Sequence, residues 1–561
     1  MTRPFSLTIA ALALSLSAAA QAPTPQPAGD AHNPHAHQET TSAKPTAAPT
    51  RTTPTKVAST KPGTIGTLAA GEWTTYNGDY SGRRFSPLKK LTTSNVKNLE
   101  LAWTFREDAT TGGGRRISAT PLAMDGVLYF TVPSHAWAVD ARTGIKLWQY
   151  DWPSKGGETI GNRGVAIKGD TVYFETEDCN LIALDRATGK EKWHASIGNP
   201  DQFYFGSVAP VIVKNHVMVG ISGDDFDIPG YIEAHDPETG ALQWRWYTHP
   251  DPGTPEAKTW PNDEAMLHSG GTTWVAGTYD PDLNLYYFGT GNAQPVIAGD
   301  ARPGDNLFTA TICALNPDTG KLVWYFQPNP HDTHDWDAVQ TPILIDGTIA
   351  GKPRKLLAQA SRNGWYFLID RTDGKALLST PFAKQNWTLG LKDNGQPIPN
   401  PEKTAKPNGV LVMPNQGGAA NWFPPSFSPL TGLFYVPALD AASVYYRFDN
   451  NKKPEGWAGN DRGGWAESFI RALDYRTGKV RWQHQFPTAG ARSGILTTAG
   501  NLLFTGDPTT NLIALNATTG QVLWHAGFGV PVTNGPITYE IDGLQYLTVA
   551  AGDTMYTFVL R

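Results

Sequence analysis

The sequence predicts an all-β protein, a β-propeller of four-stranded antiparallel blades with Trp-containing repeats. Three observations lead there. An eleven-residue pattern recurs along the chain: AVDARTGIKLW (Ala138–Trp148), ALDRATGKEKW (Ala183–Trp193), AHDPETGALQW (Ala234–Trp244), ALNPDTGKLVW (Ala314–Trp324), ALDYRTGKVRW (Ala472–Trp482) and ALNATTGQVLW (Ala514–Trp524). LIDRTDGKALL (Leu368–Leu378) is a degraded seventh copy. Successive Trp residues are 45, 51 and 80 positions apart from Trp148 to Trp324, and 42 apart from Trp482 to Trp524. Steps of about 40–50 fit one four-stranded blade, and the longest step reads as a blade with an inserted loop. The composition agrees: 57 Gly, 44 Pro and 19 Trp, with only 17% charged residues, describe many turns and many packed aromatics.

Each copy reads as two strands joined by a tight turn. Asp or Asn can hold nearby backbone N–H groups, and the Gly of Thr-Gly supplies positive φ. The small Ala leaves room for a neighbouring sheet. The Trp is large enough to cover the seam between two sheets and has an N–H that needs a partner. One such hairpin cannot bury itself, so the units must pack side by side.

The first residues lie outside this pattern. Arg3 followed by the apolar run Phe5–Ala20 and small residues around Ala22 reads as a secretory signal peptide over 1–22. Residues 23–63 are rich in Pro, Thr, Ala and Ser and lack the apolar content for a core, which predicts a disordered linker. The propeller is expected over 64–561. No other long apolar span occurs, so the expectation is an exported protein without a transmembrane span, periplasmic in a cell with an outer membrane. A net charge of −5 gives no basis for nucleic-acid binding. The two cysteines, Cys179 and Cys313, lie in or near apolar runs and read as buried thiols; without Cys-x-x-Cys-His no covalent c-type haem is encoded.

Several ordered blocks carry a resemblance. Trp73-x-x-Tyr76-x-Gly78 leads to Arg84-Phe85-Ser86-Pro87-Leu88, then to Asn95-Val96-x-x-Leu99-x-x-x-Trp103. RGVAI (Arg163–Ile167), YDPDLNLYYFGTGN (Tyr279–Asn292), RPGDNLFT (Arg302–Thr309), PHDTHDWD (Pro330–Asp337), RNGWYFLIDR (Arg362–Arg371) and LTTAGNLLFTGD (Leu496–Asp507) follow. From about Trp73 to Gly552 the chain resembles the alcohol dehydrogenases that depend on pyrroloquinoline quinone (PQQ). The resemblance implies eight blades, with PQQ on the central axis beside Ca2+ or a lanthanide. It also implies an alcohol or similar small substrate, and electrons passed to a separate carrier such as a c-type cytochrome.

By resemblance, Trp274 is the stacking surface and Thr272 a nearby polar contact. Arg163, Ser207 and Ser222 match positions that hold the cofactor's acid groups. Arg362 matches the residue that reaches the quinone oxygens, and Asn421 a further ring contact. Asn292 matches a metal ligand, and Asp225 falls where the family has Glu. Asp335 matches the catalytic Asp, which also stands among the metal ligands, and Asp337 the second acid of lanthanide-using members. Carboxylate and amide oxygens suit hard cations. Read without the resemblance, Trp274 is a core aromatic, Asp225 and Asn292 are turn residues, and His331, Asp332, His334, Asp335 and Asp337 form a His/Asp transition-metal site.

The chain also departs from the family. Gly157-Glu158 stands where many members carry adjacent cysteines, Ser118 where they carry Glu, and Arg492 where they carry Trp. AGDTMYTF (Ala551–Phe558) replaces a Trp-containing segment. These departures leave a second reading, a propeller that has lost PQQ and serves as a binding or scaffold protein.

Overall fold

The computed structural model describes residues 71–109, 116–223, 226–448, 457–490 and 492–561. The expected signal peptide and linker, and Asp225, lie outside the described residues. Among those described, eight sheets of four or five strands follow one another: 122–151, 166–196, 211–247, 278–326, 343–381, 410–485, 496–527 and 537–560. They are blades one to eight of the propeller. The eighth is completed by a strand from the other end of the chain. Leu99–Arg106 pairs antiparallel with Thr554–Leu560, so Trp103 lies opposite Thr557. Phe85–Ser86 adds in parallel to Leu496–Thr498 of the seventh blade. Arg84 secures this overlap, fully buried, donating to the carbonyls of Tyr76, Ile495 and Pro536.

The repeat joins the third and fourth strands of a blade. In every full copy the Ala pairs with the Trp: Ala138 with Trp148, Ala183 with Trp193, Ala234 with Trp244, Ala314 with Trp324, Ala472 with Trp482 and Ala514 with Trp524. Those alanines are all fully buried. The Trp then reaches into the next blade. Trp148 donates to the carbonyl of Arg186, Trp244 to Pro317, Trp324 to Arg371 and Trp482 to Ala517, at 2.8–3.1 Å. Each acceptor directly follows the Asp or Asn of the next repeat. The glycine of the next repeat's turn closes over the same ring: a Cβ added to Gly320 would stand 2.6 Å from Trp244 Cδ2, and one on Gly374 2.7 Å from Trp324 Cε3.

Burial of these rings is less complete than the repeat suggests. Trp148 and Trp324 are buried, whereas Trp193, Trp244, Trp482 and Trp524 are half-buried. The cause is their place on the outermost strand, where alternate residues face solvent, as in Leu242–Tyr247. Trp524 meets the closing blade, which has no Thr-Gly turn, and packs edge-on against Phe558. In the degraded copy Leu378 takes the Trp position opposite Leu368. The 80-residue step holds its extra chain in two places, before the fourth blade at 248–277 and between its second and third strands at 290–311. Cys179 and Cys313 are buried free thiols. No helix among the described residues is long and apolar enough to cross a membrane.

Candidate active site

The predicted site residues lie in the loops that precede the blades' first strands and in those that join second strands to third, the latter carrying Ser222, Asn292 and Arg362. Two glycines at positive φ, Gly270 and Gly271, shape the segment leading to Trp274. That segment is tied to the 291–292 turn, because Gly271 donates to the Asn292 carbonyl and Gly291 to that of Thr272. Trp274 and Asn292 are thereby set side by side, and one carboxylate links them. Asp337 accepts the Trp274 indole N–H at 2.9 Å and the Asn292 backbone N–H at 2.8 Å.

Arg362 joins the two acids. Its guanidinium lies 2.7 Å from Asp337 and 3.1 Å from Asp335, and all three side chains are buried. With both carboxylates ionised this triad holds one negative charge in excess. Burial pushes the Asp337 pKa up, and Arg362, the Asn292 N–H and the Trp274 N–H oppose that shift. Asp335 adopts a left-handed backbone, φ +65, a conformation Asp tolerates better than most residues. The loop that presents it is built on Asp332, which accepts the backbone N–H groups of His334 and Trp336; burial raises the Asp332 pKa to about 6. Gln416 donates its amide to Asp335.

The predicted anion-holding group also assembles. Arg163 donates to Ser207 Oγ at 2.8 Å, and Ser207 Oγ is 2.6 Å from Ser222 Oγ. The Arg163 Cζ lies 4.7 Å from the centre of the Trp274 ring and 4.9 Å from that of Trp422. Behind Ser207, the buried carboxylate of Glu175 accepts the backbone N–H groups of Ser207 and Val208. Burial pushes the Glu175 pKa up to about 8.

Arg163, Ser207, Ser222 and Trp274 thus form one group, and Asn292, Asp335, Asp337 and Arg362 another, with Trp274 shared through Asp337. Asn421 is half-buried and its amide is engaged locally, donating to the Gly417 carbonyl and accepting from the Trp422 N–H. Gln416, Trp422 and Glu175 are contacts that sequence reasoning missed. Gln416 and Trp422 sit in the Gly-rich PNQGGAANW loop, which has no periodicity to mark them, and Glu175 reads as an ordinary strand residue.

His331 and His334 are engaged elsewhere. His331 bonds the Gly304 carbonyl, and His334 bonds that of Lys403 and stacks on Trp336. Among the described residues no three His, Cys, Asp or Glu side chains form a metal-binding group.

The donor set fits a flat polyanionic cofactor beside a hard cation. Two buried acceptors, Asn292 Oδ1 and Thr272 Oγ1, have no hydrogen-bond partner, which is costly unless something fills the place. Asn292 Oδ1 belongs to the residue whose N–H binds Asp337, so an amide oxygen and an acid lie together. The aromatic faces and the Arg–Ser–Ser group offer stacking and anion contacts nearby.

Comparison with known proteins agrees. The PQQ family model, described as glucose/ethanol/alcohol dehydrogenase, beta-propeller domain, matches residues 73–385. The chain belongs to this family. It is 38% identical over 515 residues to the quinohemoprotein alcohol dehydrogenase ADH IIB of Pseudomonas putida, covering 86% of this chain and 74% of that protein. It is 34% identical over 534 residues to a lanthanide-dependent methanol dehydrogenase of Methylacidiphilum fumariolicum, covering 86% and 85%. The solved quinohemoprotein alcohol dehydrogenase of Comamonas testosteroni superposes with a TM-score of 0.82 at 35% identity, over 88% of this chain and 81% of that one. A second model, of the outer membrane protein assembly factor BamB, matches residues 466–558, within the repeats of the last blades.

Proposed function

We propose that the protein is an exported PQQ- and metal-dependent dehydrogenase that oxidises an alcohol group and passes the electrons to a separate carrier. A signal peptide over 1–22 and a linker over 23–63 precede the propeller of 64–561 in this reading, which places the enzyme in the periplasm of a cell with an outer membrane. The observation that carries it is the Asp335–Arg362–Asp337 triad, joined through Asp337 to Trp274 and Asn292. A scaffold has no use for a buried excess carboxylate set against a stacking surface and an unsatisfied amide oxygen.

When bound, PQQ supplies an electrophilic quinone carbonyl that accepts the substrate's two electrons, polarised by Ca2+ or a lanthanide. Trp274 provides the stacking face. Arg163, Ser207 and Ser222 hold the cofactor's acid groups, with Thr272 and Asn421 as further polar contacts. Asn292, Asp335 and Asp337 are the metal donors, with Asp225 as a fourth. Arg362 orients both acids and would supply positive charge to the quinone oxygens of the bound cofactor. Asp335 is the base. A carboxylate held beside Arg362 and a cation stays ionised near neutral pH, ready to take the hydroxyl proton as the hydride leaves carbon. Gln416 fixes its orientation.

Asp335→Asn is the direct test. The variant should fold and bind PQQ, and should lose alcohol-dependent dye reduction by roughly 100-fold or more, the scale of a general base. Turnover retained at the wild-type level would remove Asp335 from this role.

A further inference from the structure

A cleft of about 660 Å3 opens where the second blade passes into the third, with Phe203, Phe226, Arg245, Tyr247, Gln202 and His268 on its walls. Arg245 and Tyr247 belong to the outermost strand of the third blade, Leu242–Tyr247, so the cleft lies at the rim of the propeller. None of the described residues proposed to hold PQQ or the metal lines it. Backbone strain marks its wall. Phe203 ends the short turn Pro200–Gln202 with φ +67, a left-handed conformation that a bulky residue rarely adopts. Burial does not offset this strain, because Phe203 is 56% exposed. The ring stacks instead on Phe226, 5.2 Å away and nearly parallel, and Asp227 follows at φ +59. Strained residues held open to solvent recur at ligand clamps.

The polar groups decide what kind of ligand fits. Tyr204 and Tyr231, also on the wall, donate their hydroxyls inward to the carbonyls of Pro229 and Ile197. They therefore contribute ring surface rather than O–H groups. The charges cancel. Arg245 lies over the Tyr231 ring at 4.3 Å and pairs with the buried Glu233, and His268 lies 3.2 Å from Asp227. The cleft has no excess charge with which to select an anion or a cation. Asn199 and Gln202 are exposed at its edge, with amides that can both donate and accept.

We infer that this cleft binds a neutral saccharide, with one sugar ring packed against Phe203 and Phe226 and its hydroxyls bonded by Gln202, Arg245 and Asp227. The C–H face of a pyranose is apolar and slightly positive, and it complements the negative face of an aromatic ring. The hydroxyls around its edge need groups that donate and groups that accept, and the amide, guanidinium and carboxylate supply both. An aromatic wall with a few placed polar groups, and a volume of this size, are usual for a small-molecule site. Binding is non-covalent and does not depend on the dehydrogenase reading.

Calorimetry on the full chain with cellotetraose, chitotetraose and maltotetraose tests this, with and without PQQ and Ca2+. At least one of the three should bind, equally well in both states. Phe203→Ala should weaken that binding by roughly 10-fold or more, the scale of losing one aromatic face. Phe203→Tyr should retain it, and Gln202→Ala should weaken it less. Failure of all three to bind overturns the inference, as does binding that Phe203→Ala and Gln202→Ala leave unchanged. Competition between the oligosaccharide and PQQ would place the sugar in the proposed active site and overturn it as well. So would p-cresol binding as tightly as the oligosaccharide, which would mean an apolar cleft only. Oligosaccharide binding by a protein that takes up no PQQ would leave this inference standing and defeat the dehydrogenase reading instead. Gln202→Ala, at an exposed position, keeps the test decisive if the Phe203 variants do not fold.

Discussion

The indole N–H of Trp274 donates to the Asp337 carboxylate at 2.9 Å. The proposed stacking surface and the proposed metal site are therefore one unit, and disturbing either should be felt by the other. A Tb3+ ion bound at Asp337 lies close enough to Trp274 for the indole to sensitise its luminescence. Asp337→Asn should weaken Tb3+ binding by at least roughly 10-fold, the lower end of the loss seen even for residues behind a ligand. Trp274→Phe should dim the sensitised emission. Unchanged Tb3+ titrations in both variants would separate the metal from this pair.

The blade seams should be sensitive at the turn as well as at the ring. Trp324 is buried and donates to the Arg371 carbonyl, so Trp324→Ala should cost roughly 3–5 kcal/mol. Gly320→Ala acts from the other side: φ is +66 and the added Cβ would stand 2.6 Å from Trp244. Overpacking of this kind costs about 1–3 kcal/mol before the backbone strain is added. Urea unfolding midpoints measure both, and variants as stable as wild type would contradict the seam as described.

Much of this architecture could be read from the chain, and the exceptions have physical causes. Six full repeats marked their blades because Ala, the Asx turn, Gly and Trp each have a separate steric task. LIDRTDGKALL still forms its blade without Trp because strand pairing, through Leu368 and Leu378, does not depend on the seam. The pairing of Leu99–Arg106 with Thr554–Leu560 was not legible, since strands so far apart leave no local signature. Trp274, Asn292, Asp335, Asp337 and Arg362, singled out by resemblance, are brought into contact by the fold. Gln416 and Trp422 were missed because irregular loops have no period, and their roles arise from the folded path of 414–422. The Gly157-Glu158 departure falls in an exposed loop, whereas Ser118 is buried with an unpartnered Oγ.

Glu175 should give stability a defined pH slope. Burial raises its folded pKa from about 4.5 to about 8, so between these values the folded state holds a proton that the unfolded state has lost. Its contribution is greatest below pH 4.5 and is lost as the pH rises through 8. Glu175→Gln removes this titration while keeping an acceptor for the Ser207 and Val208 N–H groups. Thermal midpoints from pH 5 to 9 should fall more steeply with pH for wild type than for the variant. Parallel curves would mean that Glu175 titrates normally.

Ultraviolet–visible titration of the purified protein shows whether these residues hold PQQ beside a hard metal. With Ca2+ or La3+ present, PQQ should bind saturably at one per chain with a shifted quinone absorbance. Chelation of the metal should weaken that binding, and added alcohol should bleach the quinone band. If no PQQ binds with either metal, the triad and its stacking surface serve another ligand and the dehydrogenase account is wrong.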